Sequence, residues 1–303
     1  MDQSVKPSPR GRLTNKTAWA MCFLAPWFIY FAVFTAFPFL YGIYVSFTNY
    51  SIAGIQNIRF VGLENFFAIP KDPAFWRSIV ATLGFAALVI PLTVALSLWV
   101  ANLLQCYGTK MNGFMKVFIY LPGVACQAAL VSAWKFIFAP GAGIISSLFK
   151  SLGLSTFSLF DSALTSIPVL SLIIVLANLG QPIILYSAAM NSIPITYYEA
   201  AEIDGASRRK QFFSITLPLL QSANTFVIVT TTIGMFQIFI VPYLMTGGGP
   251  QYRTSTLLLM VYRSAFQNGS FGYASAVGLV LFLLTAVVAA FQFYMMKRDL
   301  VEF

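Results

Sequence analysis

Residues 197–220 read YYEAAEIDGASRRKQFFSITLPLL. Glu199, Glu202, Asp204, Arg208, Arg209 and Lys210 put six charges into twelve residues of a chain that is only 9% charged. The flanks are the opposite. No Asp, Glu, Lys or Arg occurs between Asp161 and Glu199, or between Lys210 and Arg253. Each gap can hold the roughly 20 apolar residues that cross a ~30 Å hydrocarbon core as a helix. The stretch is therefore a charged loop between two membrane spans, and this reading sets the fold class.

The same pattern repeats along the chain. Uncharged gaps also separate Lys16 from Arg59, Arg77 from Lys110, Lys116 from Lys135, and Arg263 from Lys297. The predicted spans cover 18–42, 79–104, 114–137, 164–190, 222–245 and 271–296. Hydrophobic residues make up 58% of the 303 residues and mean hydropathy is +0.79. Ordinary soluble domains carry about 25% charged residues. The expectation is an all-α membrane protein embedded in a lipid bilayer. Residues 1–17 form an N-terminal tail, 18–303 a single six-helix domain, and 194–220 the loop between spans four and five. The first span is longer than the roughly 7–15 apolar residues of a cleavable signal, so it is expected to be retained.

Six spans bring both termini to one side. With the termini in the cytoplasm, eleven Lys and Arg residues lie inside and seven outside, the sense that the positive-inside bias favours. The charged loop is then cytoplasmic. The net charge of +9 is scattered at the edges of apolar runs, so no basic stripe points to nucleic acid. Two outer segments stand out. Residues 57–79 mix aromatics with Lys and Arg as interfacial segments do. Residues 252–266 (YRTSTLLLMVYRSAF) can form a short amphipathic helix lying on the outer surface.

Several chemistries are excluded. The chain has no His, and Cys22, Cys106 and Cys126 are isolated, so His-based zinc sites, a Ser-His-Asp triad and paired-Cys chemistry are absent. No catalytic cluster is visible, and no metal or cofactor is expected on this chain. All nine acids fall outside the predicted spans. Proton- or sodium-coupled carriers usually need intramembrane ionisable groups, which disfavours the alternative, an ion-coupled secondary carrier. ATP could supply the energy, but no Gly-x-x-x-x-Gly-Lys-Ser/Thr run exists to bind it. TGGGP (residues 246–250) lacks the Lys and reads as a turn after span five. GAGIIS (residues 141–146) reads as a loop. Energy must therefore come from another chain.

Within the charged loop, Thr196 and Glu199 have the spacing of a capping box. Gly205 suits a left-handed residue that ends the first helix, and a second short helix can follow from Ser207 until Pro218. Taken alone, the basic triplet Arg208–Lys210 equally suits a solvated loop meeting lipid headgroups. Taken whole, EAAEIDGASRRKQFFSITLPLL resembles the EAA loop of ABC importer permeases. Glu199, Ala200, Ala201, Asp204, Gly205, Ala206, Phe212, Leu217 and Pro218 fall on that pattern; QSA (residues 221–223) departs from the further Pro that often follows. DPAFWRSIVATLGF, TGGGP and YRSAFQNGSFGYASAVGLVLFLL are similar to the carbohydrate-uptake branch, in the compact six-span form of its first subunit.

The resemblance implies a membrane subunit of an ATP-driven sugar importer in a bacterial cytoplasmic membrane. Glu199, Ala200, Ala201, Asp204, Gly205 and Ala206 would form the coupling helix that docks on an ATP-binding subunit. The implied partners are a second, homologous permease, two ATP-binding subunits carrying ATP and Mg, and an extracytoplasmic sugar-binding protein. It also places a sugar site mid-membrane on the helices before and after the loop. Asn178 and Gln181 share a face at i, i+3. Thr231, Gly234, Met235 and Ile238 share one at i, i+3, i+4, i+7, with Gln237 nearby. The alternative is that these polar groups bond helix to helix. The lack of an intramembrane Arg or Lys in spans four and five favours a neutral or externally selected substrate.

Overall fold

The computed structural model describes residues 11–54, 57–107, 109–139, 141–151, 160, 162–249 and 251–297. The tail through residue 10, Asp161 and Pro250 lie outside them. Among the described residues the fold is all helical, apart from an isolated antiparallel bridge between Thr48 and Phe60. Three helices are long and apolar enough to cross a membrane, or up to six if each of three bent pairs is one span.

The first span joins α1 (Gly11–Phe31) through a π turn (Ala32–Ala36) to α2 (Phe37–Ser46). Helix α1 already begins within the expected tail. A short α3 (Glu64–Ala68) leads to α4 (Pro73–Leu104), capped by Asp72, whose carboxylate accepts from the Ala74 amide at 2.8 Å and the Tyr273 hydroxyl at 2.9 Å. Helix α4 thus starts well before residue 79. Spans three to five are not single rods. α5 (Thr109–Val124) and α6 (Gln127–Ile137) meet at 90°. Pro122 lacks the N–H that would bond the Phe118 carbonyl, and Cys126 leaves the helical region at ψ 115. α7 (Ile144–Ser151) follows, opened by the loop at Gly141 and Gly143. α8 (Ala163–Asn178) and α9 (Gly180–Asn191) meet at 53°.

The charged loop forms α10 (Thr196–Ile203) and α11 (Arg208–Gln211). A π turn (Phe212–Thr216) and α12 (Leu217–Leu219) return the chain to α13 (Gln221–Phe236), at 68° to the preceding segment. α14 (Ile240–Thr246), α15 (Leu257–Tyr262), a π turn (Arg263–Gln267) and α16 (Phe271–Lys297) complete it. Pro38 and Pro218 each stand two residues after a π turn. A proline ring clashes with the carbonyl four residues back, and the wider turn makes room for it.

Helix α4 is the hub. It packs on α8, α9 and α13, and Ser78, Thr82, Thr93 and Ser97 are buried along it. Small side chains let membrane helices approach closely where water supplies no driving force. Phe85, Val89, Ile174, Met235 and Val241 knit α4, α8, α13 and α14 together. Leu98, Tyr186, Met190 and Val227 do so nearer the charged loop.

Helix α15 does not lie on the surface. Leu257, Leu259 and Met260 are buried, and Leu257 and Met260 pack with Phe75, Phe236 and Val277. Its LLLM run is apolar on every side, and two hydrogen bonds pin its start: Thr256 Oγ1 to the Ile238 carbonyl at 2.7 Å and the Leu257 amide to Thr82 Oγ1 at 3.1 Å. The described part of TGGGP, residues 246–249, terminates α14. Gly247 (φ 58) and Gly248 (φ 80) are left-handed, and Arg263 donates to the Gly247 carbonyl.

Candidate functional site: coupling loop and membrane cavity

The charged loop folds as a helix, a sharp turn and a second helix. The capping box is not formed. Ile195 is already helical (φ −61, ψ −26) and occupies the cap position without a side-chain bond. A cap residue needs non-helical angles, and the first turn opens earlier, with the Tyr197 amide on the Pro194 carbonyl and the Glu199 amide on the Ile195 carbonyl. Thr196 therefore sits inside the helix. Glu199 is exposed, and among the described residues its carboxylate has no partner.

The far end follows the sequence closely. Gly205 has φ +72. The Ala206 amide bonds the Ala201 carbonyl at 2.9 Å and the Gly205 amide bonds the Glu202 carbonyl at 3.0 Å, the paired bonds of a Schellman turn. Ala201 and Ala206 thus hold the two positions of that turn where apolar residues commonly stand. Asp204 is the last residue before it, and Ser207 caps α11 from the Lys210 amide at 3.4 Å. Ile203, at the tip, is 87% exposed, with Ala200 also exposed. An exposed apolar tip among the acids Glu199, Glu202 and Asp204 has the composition of a docking surface.

Two hydrogen bonds brace this loop. The Tyr198 hydroxyl and Thr216 Oγ1 are 2.9 Å apart, joining α10 to the returning segment. Deeper, the fully buried Tyr186 donates to Asn224 Oδ1 at 2.7 Å, tying α9 to α13. The loop and its two flanking helices are thus clamped together. Tyr186→Phe is expected to destabilise the folded chain by about 0.6–1.7 kcal/mol, the range for such bonds between membrane helices. Thermal unfolding in detergent, alone and with Asn224→Ala, checks this: a pairwise coupling of zero would show the bond carries nothing.

Above the clamp, α4, α8, α9 and α13 enclose a cavity of about 160 Å³. Asn178, Gln181, Thr231, Gly234 and Met235 line it, with Val89, Thr93, Phe226 and Thr230. The helix break at Leu179 does not separate Asn178 from Gln181; both reach the same space. The Asn178 amide donates to its own helix, to the Ile174 carbonyl at 2.7 Å, and among the described residues Gln181 bonds nothing. Neither joins helix to helix. Two expected members lie elsewhere. Helix α13 ends at Phe236, so the seven-residue periodicity stops short of Ile238, which is buried in the apolar core. Gln237 is exposed and outside the cavity. Sequence reasoning missed the α4 contribution. Thr93, a polar residue in an otherwise greasy span, was the available signal.

No protein-family model matches the chain. Full-length relatives are clear. The chain is 31% identical over 290 residues to the probable starch degradation products transport system permease protein AmyD of Thermoanaerobacterium thermosulfurigenes, covering 94% of this chain and 96% of that protein. It is 30% identical over 273 residues to the sulfoquinovosyl glycerol transport system permease protein SmoG of Agrobacterium fabrum, covering 89% and 88%. A crystal structure of a bacterial alginate ABC transporter, in complex with an alginate pentasaccharide-bound periplasmic protein, contains a chain of the same fold. That match has a TM-score of 0.80 at 20% identity and covers 96% of this chain and 98% of the other. Ion-coupled carriage finds no support in these likenesses. The chain belongs to the ABC importer permease family, in its carbohydrate-uptake branch, and is an integral membrane protein.

Proposed function

We propose that this permease carries a sugar or oligosaccharide into a bacterial cell across the cytoplasmic membrane, with both termini and the α10–α11 loop in the cytoplasm. The observation that supports this reading is that one clamped unit carries both parts. Helices α9 and α13 flank the exposed coupling helix and also supply Gln181, Thr231, Gly234 and Met235 to the cavity. Glu199, Ala200, Ala201, Asp204, Gly205 and Ala206 present the surface for an ATP-binding subunit, which holds ATP and Mg and performs the hydrolysis. Two such subunits and a second permease complete the assembly, and an extracytoplasmic binding protein delivers the sugar. Closure of the ATPases moves α10, and the clamp passes that motion to the cavity walls as rigid-body alternating access.

Asn178 Oδ1, the Gln181 amide and the Thr231 hydroxyl are the groups that meet sugar hydroxyls, with Met235 and Phe226 as apolar faces. The residues lining this cavity are neutral, so selection among neutral and acidic sugars falls to the binding protein or the second permease.

The test is uptake by the assembled transporter in vesicles. Transport should require ATP on the coupling-helix side and survive ionophores. Uptake driven by a sodium or proton gradient without ATP would refute the reading. Gln181→Leu should raise the transport KM by about fivefold through loss of one ~1 kcal/mol hydrogen bond, with turnover nearly kept. An unchanged KM would remove Gln181 from the site.

A further inference from the structure

We propose that the segment returning from the coupling helix holds the headgroup of an anionic phospholipid of the cytoplasmic leaflet. A groove of about 490 Å³ lies between α4 and the α11–α12 segment. Its walls are apolar: Ala95, Leu98 and Trp99 from α4, Phe212, Phe213 and Leu217 from the returning chain. Ala95, Leu98, Trp99 and Asn102 follow i, i+3, i+4, i+7 and present one helix face. Helix α4 is a membrane span, so its apolar face meets acyl chains or another embedded chain. Trp99 is 60% exposed, the residue type that settles at headgroup level.

The cationic end names the occupant. Arg208 and Arg209 both line the groove, and no carboxylate does among the described lining residues. Guanidinium forks match phosphate oxygens in pairs. The Arg209 guanidinium lies 6.0 Å from the Phe213 ring centre, which holds it over the apolar wall. A phosphodiester above an acyl chain has the complementary layout: one negative charge, then hydrocarbon. Lys210 of the same basic triplet is not part of the groove.

The site bears on coupling. Arg208 also pairs with Glu202 of α10 at 3.1 Å. A lipid phosphate competes with Glu202 for that arginine, so the charge of the leaflet adjusts the freedom of the coupling helix.

The inference takes the leaflet from the permease reading, but its test does not need transport, so the two can fail separately. The assembled transporter is extracted from vesicles of phosphatidylcholine and phosphatidylglycerol in equal amounts, and retained lipids are counted by native mass spectrometry. Wild type should retain phosphatidylglycerol preferentially. Arg209→Gln should lower that preference about fivefold, the weight of one arginine at an anionic leaflet, and Arg209→Lys, which keeps the charge but loses the fork, should fall between. Addition of free glycerol phosphate should not displace the lipid, because it lacks the acyl chain. Equal retention of both lipids by wild type and Arg209→Gln would overturn the proposal. So would displacement by glycerol phosphate, which marks a free-anion site, or a disulfide between Trp99→Cys and the second permease in native membranes, which marks a protein-covered face.

Discussion

Glu199→Lys is expected to reduce ATP-driven uptake roughly thirtyfold or more, the factor for losing about 2 kcal/mol at a desolvated charged contact. The chain itself should fold and assemble into the membrane as before. Both halves follow from the loop geometry. Glu199 makes no capping bond within its own helix, is exposed, and has no partner among the described residues. No hydrogen bond or ion pair is lost on substitution, only the favourable place of an acid in the first turn of α10, worth about 0.3–1 kcal/mol, so a thermal unfolding profile close to wild type is expected. A defect in uptake then reports on a surface outside this chain. The measurement is uptake and ATP hydrolysis by the purified complex, with unfolding as control. Wild-type uptake with a normally bound ATPase would remove Glu199 from the coupling surface.

Gly205 separates two explanations in the same experiment. A Cβ at Gly205 meets nothing within 4 Å, so its substitution costs only the left-handed conformation at φ +72, about 1–2 kcal/mol for most residues and less for Asn. Gly205→Asn should therefore keep the turn. Gly205→Val should disturb it, shifting the Schellman bonds and with them the orientation of Glu199. If both variants lose uptake equally, the turn conformation is not what matters, and the ATPase instead needs the bare glycine surface.

The six spans were legible because charge is scarce enough for its absence to be read as membrane. The Schellman turn was legible for a local reason: Gly205 is the residue that its backbone angles require. The failures share a different cause. The 90° bend at Ala125–Cys126, the break at Leu179 and the end of α13 at Phe236 all fall within continuous apolar runs, and a run such as ANLGQPIILY carries its apolar character straight through them. The capping box failed because spacing alone does not show which residue first takes helical angles; Pro194 and Ile195 start the turn before Thr196. Burial of α15 was missed for the opposite reason. Arg253 and Arg263 at its borders looked like a surface helix, yet the LLLM run between them is apolar on all sides, and Thr82 and Ile238, both distant in sequence, hold its start in the core. Of the cavity, span four yielded both its polar residues and span five only part of its face, because a helical period predicts a face only as far as the helix continues.

Gly180→Val is expected to prevent stable insertion or assembly of the permease, whereas Gly84→Ala is expected to be silent. A Cβ on Gly180 would stand 2.8 Å from Tyr120 Cα and 3.0 Å from the Ile119 carbonyl oxygen. Those are backbone atoms of α5, so no rotamer change relieves the contact, and α9 must move away from α5. Overpacking of this kind costs about 1–3 kcal/mol, occasionally more, and Val adds two further carbons to the clash. Gly180→Ala should fall between, with lowered thermal stability and reduced yield. At Gly84 the added Cβ would meet Ile167 Cδ1 at 3.5 Å, an ordinary contact with a flexible side-chain end. The readouts are membrane yield and thermal unfolding of the three variants. Equal behaviour of Gly180→Ala and Gly84→Ala would show that the α5–α9 contact is not tight. A loss confined to Gly180 has a functional reading as well. Gly180 stands between Asn178 and Gln181 at the break between α8 and α9, so the backbone contact that excludes a side chain there also fixes where those two amides enter the cavity. If Gly180→Ala accumulates in the membrane, its transport KM should rise along with its loss of stability. An Ala variant of lowered stability and normal KM would mean that the close approach holds the helices together without placing the cavity's polar groups.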